Sequence, residues 1–223
     1  MERPRLEGMS DFFAARVDTY DEHMLTEVEG CRDAYGKLAE LIPADARRIL
    51  DLGCGTGLEL DGVFKRLSDV SVVGIDLTQA MLDRLARKYP GKDIRLVCGD
   101  FFRIDFGEDA YDAAVSFEAL HHFPHEDKVG LYRRVYHALK ASGVYIECDY
   151  MVTEQSVEDE IFGANARLRR ELGIPAGEYC HFDTPCTVSN QIAMLKEAGF
   201  LSVEVAYQQG AATMLVAKKE QAA

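Results

Sequence analysis

The stretch Ile49-Leu50-Asp51-Leu52-Gly53-Cys54-Gly55-Thr56-Gly57-Leu58-Glu59-Leu60 constrains this chain more than any other. An apolar β-type run meets an acid, glycines follow at every second place, and a helix-compatible pattern continues through Leu58, Val63, Phe64 and Leu67. The order is strand, tight bend, helix. Glycines let bare backbone N–H groups come close to a ligand, and the N-terminus of the next helix favours negative charge there. Asp51 offers the opposite charge, so the bend suits a ligand with both an ammonium and a carboxylate, as in an amino acid. The dinucleotide fingerprint instead spaces its glycines as G-x-G-x-x-G or Ala. Here the third glycine comes one place early, and Leu58 stands where that fingerprint needs a small residue.

A second strand–helix unit follows, with Val70, Val72, Val73 and Ile75 leading to Asp76, and Thr78 capping a helix that turns Met81, Leu82, Leu85 and Tyr89 inward. Asp76 lies 19 residues beyond Gly57, close to the spacing of about 20 at which an acid after the second strand accepts hydrogen bonds from a ribose diol. The third unit runs Ile94, Leu96, Val97, Cys98 to Gly99-Asp100-Phe101, where Leu77 and Phe101 offer apolar walls. Tyr111 to Ser116 makes a fourth strand before Phe117-Glu118-Ala119-Leu120-His121-His122-Phe123, a helix begins at Pro124, and Val144 to Cys148 is the fifth strand. Such alternation predicts a doubly wound parallel sheet with its ligand outside the carboxyl ends of the strands. Asp51, Asp76, Asp100 and Glu118 all fall at such ends, and acids gathered on one rim favour a cationic ligand.

These motifs resemble those of the class I S-adenosylmethionine (SAM) dependent methyltransferases, whose first motif is an acid followed by x-Gly-x-Gly-x-Gly. The resemblance covers about residues 47 to 218; it is specific in the first two motifs and generic in the rest. It implies a Rossmann-like seven-stranded sheet, mostly parallel, with a C-terminal antiparallel hairpin strand. Strands at 201–207 and 212–217, joined by Gln208-Gln209-Gly210-Ala211, fit that hairpin. It also implies SAM as cofactor, S-adenosylhomocysteine as product and a small-molecule methyl acceptor. The cofactor contacts it implies are Tyr20, Asp51, Gly53, Cys54, Gly55, Gly57, Asp76, Leu77, Met81, Asp100, Phe101, Phe117 and Glu118. Any base would be His121 or His122, which follow the fourth strand and titrate near neutrality. With His125 they also invite a metal, but no second ligand cluster accompanies them in the sequence, and none is expected. An Asn/Asp-Pro-Pro-Tyr/Phe motif, associated with methylation of amide or nucleobase amino groups, is replaced by Ser116-Phe117-Glu118-Ala119. Competing readings are a catalytically silent SAM-binding regulator, transfer of a group other than methyl, and a nicotinamide oxidoreductase; the glycine spacing and the hairpin oppose the last.

At 223 residues and 48% hydrophobic content, the chain can bury one core as a single domain over 1–223. Residues 1 to 9 read as disordered. N-terminal cap helices are expected over 10–42, one capped at Ser10-Asp11 and a second over about 26–41. An inserted helical lid is expected over 149–186, its helix at 155–172, with Tyr179 and His181 near the substrate, and a helix capped by Thr187 follows. No apolar run is long enough for a membrane span and the N-terminus lacks a signal-peptide core, so a cytoplasmic protein is expected. The six cysteines form no C-x-x-C pair and read as reduced structural thiols. A net charge of −13 argues against nucleic acid, and a homodimer stays open.

Overall fold

A computed structural model describes residues 6–175 and 177–219. Three N-terminal helices, α1 (Met9–Ala14), α2 (Tyr20–Thr26) and α3 (Cys31–Leu41), precede the first strand, β1 (Arg48–Leu52). Strand–helix alternation follows: α4 (Leu60–Arg66), β2 (Ser71–Asp76), α5 (Gln79–Lys88), β3 (Ile94–Cys98), β4 (Tyr111–Phe117), α6 (His125–Ala138) and β5 (Leu139–Tyr150). The chain closes with α7 (Gln155–Leu172), α8 (Val188–Glu197), β6 (Ser202–Gln209) and β7 (Ala212–Lys218). Seven strands form one sheet in the order β3-β2-β1-β4-β5-β7-β6. β1 to β5 pair in parallel, and β7 lies antiparallel between β5 and β6. The strand order reverses between β1 and β4, which opens a crevice at their carboxyl ends.

Each face of the sheet buries its own core. Ile49, Val72, Val115 and Ile146 pack under α3 and α4 with Leu38, Leu60 and Val63. Leu50, Ile75, Ala114 and Tyr145 turn the other way, onto α6 and α8 with Tyr132, Val135 and Leu195. Strand residues alternate between faces, so a strand covered on both sides must be apolar throughout. The burial of β4, where only Asp112 is not fully buried, shows this.

Several boundaries differ from the sequence expectation. The helix expected from about 26 to 41 begins only at Cys31, and a separate helix at Tyr20–Thr26 precedes it, because Gly30 sits at φ +85 and a Cβ there would lie 2.7 Å from the Gln209 carbonyl oxygen. Only glycine tolerates both, so the chain bends there. The first helix starts at Met9 rather than at a Ser10-Asp11 cap; Met9 is buried, and its N–H donates to the Tyr179 carbonyl at 3.2 Å. Residues 6–9 are thus ordered against residues 179–181, while 1–5 lie outside the described residues. The α6 helix ends at Ala138, and Leu139 already pairs with Tyr111 before the register shifts. The helix of the 149–186 insertion has the predicted limits and ends at Gly173 with φ +67. Thr187 caps α8 by accepting from Asn190 N–H at 3.2 Å.

Candidate active site

The glycine bend connects β1 to α4 and is folded tightly on itself. Gly53 and Cys54 N–H donate to the Ile75 carbonyl at 2.8 and 3.2 Å, and Gly57 N–H donates to the Cys54 carbonyl at 2.7 Å. Gly55 N–H donates to Asp76 Oδ2 at 2.9 Å, while Asp76 Oδ1 accepts from Thr78 N–H at 2.7 Å. These four N–H groups are therefore engaged within the protein, which corrects the expectation that they stand free for an anion. The glycines serve close approach instead. A Cβ on Gly53 would meet Ala119 Cβ at 2.6 Å, and one on Gly57 would meet Leu85 at 2.9 Å. Gly55 alone has room, its nearest neighbours being the Gly53 carbonyl oxygen and Tyr20, both at 3.9 Å.

A pocket opens beside Gly55 at the carboxyl ends of β1, β2 and β4. Its walls include Tyr20, Gly53, Gly55, Asp76, Leu77, Met81, Asp100, Phe101, Glu118 and His122. Polar oxygens at Asp76 and Asp100 and apolar faces at Leu77, Met81 and Phe101 suit a nucleoside. Asp100 is fixed by accepting Phe102 N–H at 2.8 Å, with Arg103 3.3 Å away. Glu118 takes a left-handed φ of +48, uncommon for a side chain with Cβ, and its N–H donates to the Cys148 carbonyl at 2.8 Å. Tyr20 is held over the bend by its neighbour Asp21, which accepts from Thr56 Oγ1 at 2.5 Å and pairs with Arg84 and Lys88 at 3.3 and 3.2 Å. Phe13, Tyr20, Glu118 and His122 also line a wider outer cleft with Arg16, His121, His181 and Asp183. The cavity and the cleft are thus neighbours that share these four walls.

Five of the predicted site residues lie off the cavity wall. Asp51 is 1% exposed behind the bend, facing Glu59; burial and then the neighbouring Glu59 push its carboxyl well above the usual range. Cys54 packs into the sheet, where its sulfur would lie 2.8 Å from a Cβ on Gly74. Gly57 faces α5, and Phe117 stacks on Tyr35 at 4.0 Å. His121 sits behind His122 and reaches only the outer cleft. For Asp51, Cys54 and Gly57 the tight bend turns alternate residues into the core, while Phe117 and His121 are turned away at the end of β4.

Burial sets the charge states. It pushes Glu118 up to about 8, with Asp149 and Asp183 adding to the effect against His121, and pushes Asp76 up against the N–H groups of Thr78 and Gly55. Burial lowers His122 to about 4, assisted by His121. Burial also acts to lower His121, but the adjoining Asp149 carboxylate outweighs it and pushes the ring up to about 10. Asp149 and Asp183 escaped the sequence reading. Asp149 ends the fifth strand just as Asp51 and Asp76 end theirs, a signal available in the sequence; Asp183 lies in irregular chain with no such marker.

The sheet order, the terminal hairpin and a pocket at the strand reversal define a class I SAM-dependent methyltransferase fold. Residues 49–143 match the family described as "Methyltransferase domain". A sterol 24-C-methyltransferase of Neurospora crassa is 27% identical over 158 residues, covering 69% of this chain and 39% of that protein. The chain thus spans about two fifths of the length of such relatives. A carboxy-S-adenosyl-L-methionine synthase of Helicobacter hepaticus is 26% identical over 220 residues, covering 94% of this chain and 90% of that one. The crystal structure of an O-methyltransferase from Nostoc punctiforme, so titled as a provisional assignment, superposes with a TM-score of 0.70 at 19% identity, over 94% of this chain and 61% of that chain. Over residues 49–143 the chain thus carries a domain of the SAM-dependent methyltransferase type. No described helix is long and apolar enough to cross a membrane.

Proposed function

We propose that this protein transfers a methyl group from SAM to a polar small-molecule acceptor. The observation that carries the reading is that the cavity beside Gly55 and Asp76 and the outer cleft adjoin, sharing Tyr20, Phe13, Glu118 and His122 as walls. The cavity fits a nucleoside: Gly55 leaves space that a Cβ would begin to fill, and Asp76, although held by two backbone N–H groups, keeps lone pairs on both oxygens. SAM, when bound, supplies a methyl carbon already activated by its sulfonium. The residues of this chain bind, orient and exclude water, and such alignment is worth several kcal/mol. Asp76 is assigned to the ribose, Asp100 with Leu77 and Phe101 to the base, and Tyr20 to covering the bend.

On the acceptor side, Arg16, His121, His122, His181 and Asp183 make the cleft polar, which favours an acceptor with hydrogen-bonding groups. Of the two histidines assigned as proton acceptors, His122 lines both spaces and stands nearer the transferred group. Residues 6–15 and 177–186 are read as the cover of the site, joined by the Gly8–Cys180 bridge.

Titration with SAM tests the cofactor assignment. Asp76→Ala is expected to weaken binding about 10- to 100-fold, since each hydrogen bond to a charged group contributes about 1.5–3 kcal/mol; equal affinity for both proteins overturns the ribose assignment. Release of S-adenosylhomocysteine with a panel of phenols, amines, thiols and carboxylates tests the transfer itself. The near-full-length likeness to a protein named carboxy-S-adenosyl-L-methionine synthase supports a second reading, in which SAM itself is the molecule modified. Mass spectrometry separates the two, because a heavier SAM derivative then forms in place of a methylated acceptor.

A further inference from the structure

In the outer cleft, beside the wall it shares with the cavity, three imidazoles converge on one carboxylate. His121 Nε2 stands 3.6 Å and His122 Nδ1 3.2 Å from the same Asp183 Oδ1, with His181 Nε2 at 3.8 Å. A tetrahedral cation with ligand bonds of about 2.0–2.2 Å holds its ligand atoms roughly 3.4 Å apart. The His121–Asp183 and His122–Asp183 separations therefore have the span that one ion between them requires.

Two further observations point the same way. The His122 side chain is 4% exposed, and its buried Nδ1 has the Asp183 carboxylate 3.2 Å away but no well-aligned hydrogen bond among the described residues, a costly arrangement for a buried polar atom. Behind the cluster, His121 Nδ1 lies 2.5 Å from Asp149 Oδ1, and Asp149 Oδ2 accepts from Leu120 N–H at 3.1 Å. That carboxylate turns the ring so that Nε2 faces Asp183, the support found behind metal-ligating histidines. Asp183 itself is half-exposed and gives an ion a way in.

We infer that His121 Nε2, His122 Nδ1 and Asp183 bind one divalent cation of the zinc class, with a coordination position left open to the acceptor. Two imidazoles and one carboxylate suit Zn²⁺, Co²⁺ or Fe²⁺, whereas Mg²⁺ and Ca²⁺ prefer all-oxygen shells. Because His122 also walls the cavity, an acceptor hydroxyl held by the cation would sit beside the transferred group and lose its proton more readily to water in the outer cleft, His122 then serving as ligand rather than as base. Only this acceptor role rests on the methyl-transfer reading; binding of the ion does not. A second group, His125, Glu158 and Cys186, serves as comparator, since Glu158 is already engaged by Asn190 and Thr187, and Cys186 by Lys128.

The test uses the full, untagged chain stripped with a chelator, without SAM. Co²⁺ is titrated by its visible absorption, and Zn²⁺ in competition with a chromophoric chelator. One equivalent is expected to bind. Asp183→Asn and His122→Gln should weaken it at least about 100-fold and Asp149→Asn about 10- to 100-fold, while His125→Gln leaves it unchanged. Near-UV circular dichroism and the SAM-induced melting shift report whether each variant is folded. Binding no tighter in the natural sequence than in folded Asp183→Asn protein, or binding abolished by His125→Gln, overturns the site. A SAM shift without metal binding defeats the cation alone; metal binding without a SAM shift defeats the cofactor reading instead.

Discussion

Buried one turn past the bend, Glu59 faces Asp51, with Asp76 and Lys88 in range; burial pushes its carboxyl from 4.5 up to about 7. The folded chain therefore holds a proton that the unfolded chain releases between those values. Stability from this group is complete below about pH 4.5 and is lost as pH rises toward 7. Glu59→Gln is expected to melt higher than the natural sequence at pH 8, by about 2–3 kcal/mol, with the gain shrinking toward pH 4 in calorimetric scans. The two glycines on either side of Thr56 separate fold from ligand. Gly57→Ala places a Cβ 2.9 Å from Leu85 at φ +73 and should cost about 1–3 kcal/mol of stability. Gly55→Ala places a Cβ 3.9 Å from its nearest neighbours but at a left-handed φ of +46, so it should cost about 1 kcal/mol of backbone strain and, beyond that, weaken SAM binding in titration. At this scale, the sequence marked Asp76 and Asp100 on the cavity wall through their strand-end spacing. It could not separate them from Asp51, because whether a strand-end acid turns to solvent or to a neighbouring carboxyl depends on how tightly the bend closes.

Among the elements, α2 matters most to the site, because Asp21 at its first turn bridges Thr56 of the bend and Arg84 and Lys88 of α5. Partial burial raises the Asp21 pKa, but the Thr56 hydroxyl and the two cations outweigh it and leave the carboxyl below its usual value. Asp21→Ala should release the helix carrying Tyr20, weakening SAM binding about 5- to 30-fold, by the roughly 1–2 kcal/mol that such a charge-assisted contact contributes; unchanged affinity in calorimetric titration refutes this role. The limits of α7 were legible because a charged helical pattern ends in Gly173-Ile174-Pro175. The break at Gly30 was not, since a lone glycine inside a helical pattern reads as tolerated until the Gln209 carbonyl is seen pressed against it.

For the molecule as a whole, SAM at a hundred times its dissociation constant should stabilise the fold by about 2.7 kcal/mol, raising the melting temperature by about 5–10 °C for a chain of this size; NAD at the same concentration should leave it unmoved in thermal-shift assays. The parallel strand–helix alternation and the terminal hairpin were determined by the sequence alone, whereas the strand order came from the structure. Hydrophobic runs alternating with helical patterns admit few right-handed, unknotted arrangements, and strand-end acids mark the edge whatever the loops do. Only the tertiary structure decided which glycines touch the cavity, that residues 6–9 lie ordered against 179–181, and that Asp149 and Asp183 meet His121 and His122. Such contacts join segments 28 to 170 residues apart through irregular chain, and no local periodicity encodes where two loops come to rest against each other.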